Sequence, residues 1–267
     1  MSSELNLSTL QRNLKTQVMG KTVFFLTEIN STNLWAKSLA RSGAPEGTVT
    51  IAETQSSSRG RLGKRWHSPL GGLWFSVVLR PKIRASRVSQ LTLTATLSVM
   101  QALHDLYSLE AEAKWPNDVL VKGRKICGIL GEANSQADDV SFVIMGIGLN
   151  ANFQVDKALP ESVAASATSL ETEMRHKVGL EQLLARLLER FEANYYIYVL
   201  RGFSHIVVEW KRHANFLGRE IVVIDQDRTF RGVAEDIDEN GALLLRLKDG
   251  TLRSFVTADV SLNARRR

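Results

Sequence analysis

The apolar positions change period several times along the chain, and each change predicts an element. TVFFLT (22–27) and TVTIAET (48–54) are dense in β-branched and aromatic residues and predict strands. Between them INSTNLWAKSLA predicts a helix, with Ser31 or Thr32 as N-cap and Gly43 and Pro45 past its end. LWFSVVLRP (73–81) predicts a third strand, stopped by Pro81. Over 88–106, Val88, Leu91, Ala95, Val99, Ala102 and Leu106 form one helical stripe. Leu93, Leu97 and Met100 fill another, so this helix is expected to be buried on more than one side. Short strands are predicted at 111–115, 119–121, 125–133 and 140–148, and Lys122-Gly123 turns the second into the third as a hairpin. A residue before proline is held extended, so the first of these strands should end at Trp115 and Pro116-Asn117-Asp118 should turn. A second long helix is predicted over 180–196, with Leu180, Leu184, Leu187, Phe191 and Tyr195 as its seam.

Near residue 214 the texture changes. REIVVID, TFRGVAEDID, ALLLRLKD and TLRSFVT are short strand-like runs separated by Asp-Gln-Asp, Glu-Asn-Gly and Asp-Gly turns, the pattern of a small antiparallel barrel. The fold class expected is therefore α+β with a small all-β appendage. The chain divides into an N-terminal arm (1–20), a body (21–213) and a β domain (214–267). Leu7, Leu10 and Leu14 allow one short helix in the arm, which is too short for a DNA-reading domain.

Composition narrows the function. The 267 residues carry a formal charge of +6, but Arg265, Arg266 and Arg267 supply three of those charges, which weakens an inference to nucleic acid. The single cysteine, Cys127, excludes an intrachain disulfide and a multi-cysteine metal site, and within ICGIL it reads as a buried thiol. No apolar run approaches the ~18–20 residues that span a bilayer, and no signal-peptide core is present near the start, so the cytoplasm is expected. P-loop, HExxH and GxSxG patterns are missing. Gly146-Ile147-Gly148 begins like a dinucleotide fingerprint but lacks the third glycine, and close packing is the better reading. His67 reads as a loop residue rather than a base.

Four stretches carry candidate chemistry. Ser31-Thr32-Asn33 at a helix start is either an ordinary cap or a set of small polar groups holding a polar ligand. SSSRGRLGKRW (56–66) is a glycine-bearing basic loop, suited to a phosphate or to a nucleic-acid backbone. Lys114-Trp115-Pro116-Asn117-Asp118 puts an ammonium, an amide and a carboxylate at one strand end. Asp118 there is either part of an Asx turn or a carboxylate for a metal–water shell. Lys125 heads the apolar strand ICGIL, as a hairpin-end charge in water or as a cation aimed into a site.

Taken in order, ETQ…RGRLGKRW, KWPNDV, GRKICGIL and GIGLNAN resemble the biotin–protein ligase family from about Glu28 to Asn152, and weakly beyond. The resemblance implies a class II synthetase-like biotin/lipoate ligase fold: a mixed sheet flanked by helices, followed by an SH3-like barrel. It implies formation of biotinyl-5′-AMP from biotin and ATP with Mg²⁺, then transfer of biotin to a lysine of a carboxylase carrier domain. By the same resemblance Ser31, Thr32, Asn33 and Gln55 line the biotin site, and Arg59, Gly60 and Arg61 cover biotin and the adenylate phosphate. Lys125 meets the carboxylate and α-phosphate, with Lys125, Arg59 and Arg61 as the catalytic cations. Lys114, Asn117, Asp118, Asn150 and Trp66 serve ATP, with Asp118 the candidate for magnesium. The form expected lacks an N-terminal DNA-binding domain, touches neither nucleic acid nor membrane, and has a homodimer as one possible assembly. One departure stands out: Ser58 occupies the place where the family's loop usually has glycine, which costs backbone freedom if that residue needs a positive φ. The competing readings are a lipoate–protein ligase of the same fold and, further off, a nucleic-acid-binding module.

Overall fold

The structure, a computed structural model, describes residues 5–136 and 138–262; the Arg265–Arg267 tail and residues 1–4 lie outside the described residues. The elements run α1 (Leu7–Asn13), β1 (Val23–Ile29), α2 (Thr32–Arg41), β2 (Val49–Gln55), β3 (Leu73–Leu79), α3 (Val88–Tyr107), β4 (Glu112–Lys114), β5 (Asp118–Val121), β6 (Arg124–Gln136) and β7 (Asp139–Leu149). Three short helices follow, α4 (Val155–Ala158), α5 (Glu161–Ala164) and α6 (Leu170–Met174), then α7 (Leu180–Arg201) and α8 (Phe203–Lys211). Last come β8 (Glu220–Asp225), β9 (Arg228–Ile237), β10 (Leu243–Leu247), β11 (Leu252–Phe255) and β12 (Asp259–Ser261).

The seven-stranded sheet has the order β1-β2-β3-β7-β6-β5-β4. β1 and β2 are parallel because α2 carries the chain back between them, and the remaining pairs are antiparallel, so the sheet is mixed. β3 is buried along its whole length because both faces are covered. Leu73, Phe75, Val77 and Leu79 join the main core, whereas Val78 packs with Ala36 and Ala40 of α2 and with Phe142 and Ile144 of β7. The same alternation puts Val143, Met145, Ile147 and Leu149 in the main core. Gly146 and Gly148 follow Phe142 and Ile144 on the α2 face, and that face becomes the floor of the site.

α3 is buried on both expected stripes and lies between the sheet and the pair α7–α8. α7 runs past the predicted end at 196 to Arg201, where Gly202 at φ 85° stops it. The N-terminal stretch packs on the body. Leu10 and Met19 are fully buried, and the Glu192 carboxylate on α7 accepts hydrogen bonds from three successive backbone N–H groups, Gln17 (2.5 Å), Val18 (2.8 Å) and Met19 (2.7 Å).

The small C-terminal unit is a five-stranded antiparallel sheet, β11-β10-β9-β8-β12. It is seated on the body by polar ties: Trp115 Nε1 donates to Gly241 O (3.0 Å), Gln90 Nε2 to Glu239 O (2.9 Å), and Lys211 pairs with Asp236 (2.6 Å). β4 ends at Lys114, one residue before the expected Trp115, and the Trp115–Pro116 peptide is cis. The turn occupies Trp115–Asn117, one residue earlier than expected, so Asp118 heads β5 and pairs across the ladder with Lys114.

Candidate functional site

A cavity of about 470 Å³ opens on the α2 face of the sheet. Its polar end is the start of α2. Ser31 caps the helix, its hydroxyl accepting from Leu34 N at 3.5 Å. Gln55, at the end of β2, accepts from Thr32 N (2.8 Å) and lies 3.1 Å from the Thr32 hydroxyl. Its amide nitrogen donates to Ser68 Oγ at 2.9 Å. Below this layer Ser76, fully buried on β3, lies 2.8 Å from Thr32 Oγ1 and donates to Asn33 Oδ1 (2.6 Å). Asn33 Nδ2 in turn donates to Glu132 Oε2 (2.6 Å). Gly146 makes this possible: a Cβ there would stand 2.0 Å from Asn33 Oδ1.

The basic loop bridges from the body to the small sheet. Ser58 is buried at its base and donates to Trp66 O (2.8 Å), with Ser68 Oγ at 2.9 Å. The left-handed residues of the loop are Leu62 (φ 54°) and Gly63 (φ 72°), so Ser58 needs no positive φ and the backbone cost expected there does not arise. Arg61 crosses to the small sheet, donating to Thr257 Oγ1 (2.5 Å) and Ala258 O (3.2 Å), and it also reaches Asn117 Oδ1 (3.3 Å). Burial pulls its guanidinium below the ordinary value while Asp259 and Asp118 oppose that. Lys64 pairs with Asp259 at the head of β12. Arg59 is exposed, lines the cavity, and has no side-chain partner among the described residues. Gly60 lies beside it in the cavity wall, its N–H donating to Lys64 O at 2.7 Å.

At the cationic end, the Lys125 ammonium lies 2.6 Å from Asp118 Oδ1 and 5.0 Å from the centre of the Trp66 ring. Its backbone is fixed on both sides, N–H to Ser166 O (2.8 Å) and C=O from Thr168 N (2.9 Å). The Lys125 side chain lines the cavity rather than standing as a free charge in water. Lys114 lines the same wall without an ion pair among the described residues; burial lowers its pKa, and Asp118 and Asp259 push it back up. Asn117 Nδ2 donates to Ile129 O (2.8 Å), which orients its oxygen toward Arg61. Asn150 is buried, and its amide donates to Thr168 O (2.9 Å), so it braces the segment that holds Lys125. Trp66 rests on Gly148 and Gly128, cross-strand partners on β7 and β6, where a Cβ would come within 2.6 Å and 2.8 Å of the ring. The pair Gly146 and Gly148 is thus a packing device, as expected.

All the proposed site residues, Ser31, Thr32, Asn33, Gln55, Arg59, Gly60, Arg61, Trp66, Lys114, Asn117, Asp118, Lys125 and Asn150, line this one cavity. Sequence reasoning missed Ser68, Ser76, Glu132 and Asp259. The first three are single polar residues in strand or loop segments, and their partners come from other elements. His67 lines the cavity without a hydrogen-bond partner among the described residues, consistent with a loop residue. Burial drives the Cys127 thiol well above its ordinary pKa, so it stays protonated and inert.

A family model described as the biotin/lipoate A/B protein ligase family matches residues 25–150, and one described as the biotin protein ligase C-terminal domain matches 216–263. The chain is 37% identical to the bifunctional ligase/repressor BirA of Bacillus spizizenii, covering 97% of this chain and 79% of that one. It is 35% identical to the biotin–[acetyl-CoA-carboxylase] ligase of Paracoccus denitrificans, over 83% of this chain and 92% of that one. Among solved structures it is similar to the biotin protein ligase from Aquifex aeolicus in complex with biotin and ATP, with a TM-score of 0.78 and 28% identity over 90% of this chain and 98% of that one. With two family models matching in the expected order, this identity over nearly the whole chain, and the mixed sheet followed by a five-stranded unit, the chain belongs to the biotin–protein ligase family.

Proposed function

We propose that this protein is an ATP-dependent biotin–protein ligase that makes biotinyl-5′-AMP and then biotinylates a lysine of a carboxylase carrier domain. The observation that carries the reading is a single cavity with an uncharged polar end at Ser31, Thr32 and Gln55 and a cationic end at Lys125, Lys114 and Arg61. A urea-headed acid fits that division: its ring meets the hydroxyl and amide groups, and its carboxylate is drawn toward Lys125. The volume suits a small ligand buried on most sides.

In the first step a carboxylate oxygen attacks the α-phosphorus, a C–O–P bond forms, and the bond to pyrophosphate breaks. Two anions must approach, so fixed cations lower the barrier without a covalent enzyme intermediate. Lys125, held by its backbone on both sides, is placed to bridge the two, while Arg59 and Arg61 flank the phosphate. Lys114, Asn117 and Asp118 face the nucleotide; Trp66 offers a flat apolar face to its base, and Asn150 keeps that wall rigid. Mg²⁺ arriving with ATP would neutralise phosphate charge. Such an ion needs only one or two protein carboxylates beside phosphate oxygens, and Asp118 fits that requirement. In the second step the neutral amine of the acceptor lysine attacks the acyl carbon, AMP leaves, and the ammonium releases a proton.

Arg61 is part-buried against the small sheet and the exposed Lys64 is paired there with Asp259, which favours a loop docked at the cavity over a nucleic-acid surface. No helix among the described residues is long and apolar enough to cross a membrane. We place the reaction in the cytoplasm, where the acceptor carboxylase and ATP would meet it. The test is ATP–pyrophosphate exchange driven by biotin or by lipoate, followed by the mass of a carrier domain incubated with enzyme, ATP, Mg²⁺ and biotin. Biotin-driven exchange and a biotinylated carrier are expected, and Lys125→Ala should abolish both while the protein stays folded. Exchange driven by lipoate alone would refute the proposal.

A further inference from the structure

We infer that Glu132 is a specificity-determining positioning residue: acting through Asn33 and Ser76, it fixes the hydroxyl of Thr32 as a hydrogen-bond acceptor toward the cavity. This rests on the biotin reading above, and Glu132 and Ser76 lie beneath the cavity without lining it, whereas Asn33 and Thr32 line it. A carboxylate accepts hydrogen bonds and does not donate them. Facing Glu132 Oε2 at 2.6 Å, Asn33 must present its amide nitrogen, and the second N–H of that group points to Leu130 O at 3.4 Å. Asn33 Oδ1 is then an acceptor only, and the one proton of Ser76 goes to it across 2.6 Å. Ser76 therefore has no proton for Thr32, 2.8 Å away. The hydroxyl proton of Thr32 stays inside the network, given to Ser76 Oγ at 2.8 Å, with Gln55 Oε1 at 3.1 Å as the longer alternative. What Thr32 shows to the cavity is lone pairs, while the amide nitrogen of Gln55 keeps one N–H beyond the bond to Ser68.

The blind end thus offers an acceptor beside a donor. A cyclic urea, with N–H next to C=O, matches both; an apolar dithiolane ring matches neither. Gly146 gives the Asn33 amide its place, since a Cβ there would stand 2.0 Å from Oδ1, and the Glu132 carboxylate decides which end of the amide faces it. Replacing Glu132 by Gln removes the constraint. An amide can donate, so Asn33 can turn over, Ser76 can give its proton to Thr32, and Thr32 can donate into the cavity.

The experiment is biotin-driven ATP–pyrophosphate exchange by the wild-type protein and Glu132→Gln. The probes are biotin and its two cyclic carbamate analogues, in which one ureido N–H is replaced by a ring oxygen of the same size. The wild type should prefer biotin strongly. In Glu132→Gln, KM for biotin should rise about threefold to tenfold with kcat changed less than about twofold, as for one hydrogen bond loosened in the ground state. The preference over at least one carbamate should fall about tenfold, a change that a general loss of packing would not produce. If Glu132→Gln does not fold, Ser76→Ala cuts the same chain one link later and should lower the same preference. Wild-type exchange with the preference unmoved in the folded variants would overturn this inference alone. Failure of the wild type to exchange with biotin would overturn it together with the proposed function.

Discussion

Gly148→Ala isolates the role of the cavity floor. Gly148 sits mid-ladder between Trp74 and Gly128, outside the left-handed region, so the backbone tolerates alanine. The added methyl would lie 2.6 Å from Trp66 Nε1 and 2.8 Å from its Cε2, whereas ordinary contact begins at 3.4 Å, so the ring must retreat by 3.4 − 2.6 = 0.8 Å. Were Trp66 locked in a core, that overlap would cost about 1–3 kcal/mol of stability. Trp66 is only half-buried and its indole N–H has no hydrogen-bond partner among the described residues, so the ring can move toward the cavity without breaking a bond. The effect therefore appears in the site. The retreat disturbs the Lys125–Trp66 cation–π contact at 5.0 Å and the surface offered to the base. A contact of that kind contributes about 0.5–2 kcal/mol, or roughly 2- to 30-fold in affinity. We expect KM for ATP to rise about tenfold, KM for biotin to move less than about twofold, and the melting temperature to fall by less than about 4 °C. Exchange kinetics with each substrate varied, together with thermal melts, give all three. Gly128→Ala, whose methyl would meet the same ring at 2.8 Å, should act in the same direction. An unchanged KM for ATP, or a rise confined to biotin, would refute the reasoning.

Two further outcomes follow from ion pairs. Lys64 and Asp259 join the loop to the small sheet at a partly exposed contact, so reversing Asp259 alone (Asp259→Lys) should speed escape of biotinyl-5′-AMP into solution only about threefold. The double variant Lys64→Asp with Asp259→Lys should restore retention, measured as adenylate separated from protein with time; no restoration would count against the pair as a latch. Glu173 accepts from Thr168 Oγ1 (2.6 Å) and pairs with Lys122 (2.9 Å) and Arg124 (2.7 Å). Burial, the largest influence, raises its pKa, but these partners together lower it. A lowered carboxyl pKa stabilises the fold above the ordinary glutamate value near ~4.3, and that contribution disappears as pH falls through the folded value. Glu173→Gln should therefore melt below wild type at pH 7, with the gap closing on acidification; a gap constant with pH would contradict this assignment.

What could be read in the sequence was whatever is local. β3, α3 and α7 announce themselves because a long run of one period is decided by burial of one or two faces. The motif residues Lys114, Asn117, Asp118 and Lys125 lie within one turn and hairpin, so their proximity was foreseeable. α4–α6 are four or five residues long, too short to show a period, and α8 follows directly on α7 across the single residue Gly202. Ser76 and Glu132 look like ordinary polar interruptions of apolar strands. Their meaning comes from Asn33, about a hundred residues from Glu132 in the chain, and is created only when β3, β7 and β6 lie side by side. Asp259 was invisible for the same reason, since its partner Lys64 lies 195 positions away.

The two glycines of β7 join these observations. Because side chains alternate along a strand, residues two apart share a face, and Gly146 and Gly148 leave two adjacent gaps on the α2 side. One gap admits Asn33 and the other admits Trp66, so the uncharged and cationic ends of the cavity are set a fixed two-residue step apart on one rigid strand. That spacing is about 6.6 Å at the usual rise of ~3.3 Å per residue. A glycine pair that begins like a dinucleotide fingerprint thus acts by steric absence, and the distance between the two ends of the cavity is set by sheet geometry rather than by the basic loop.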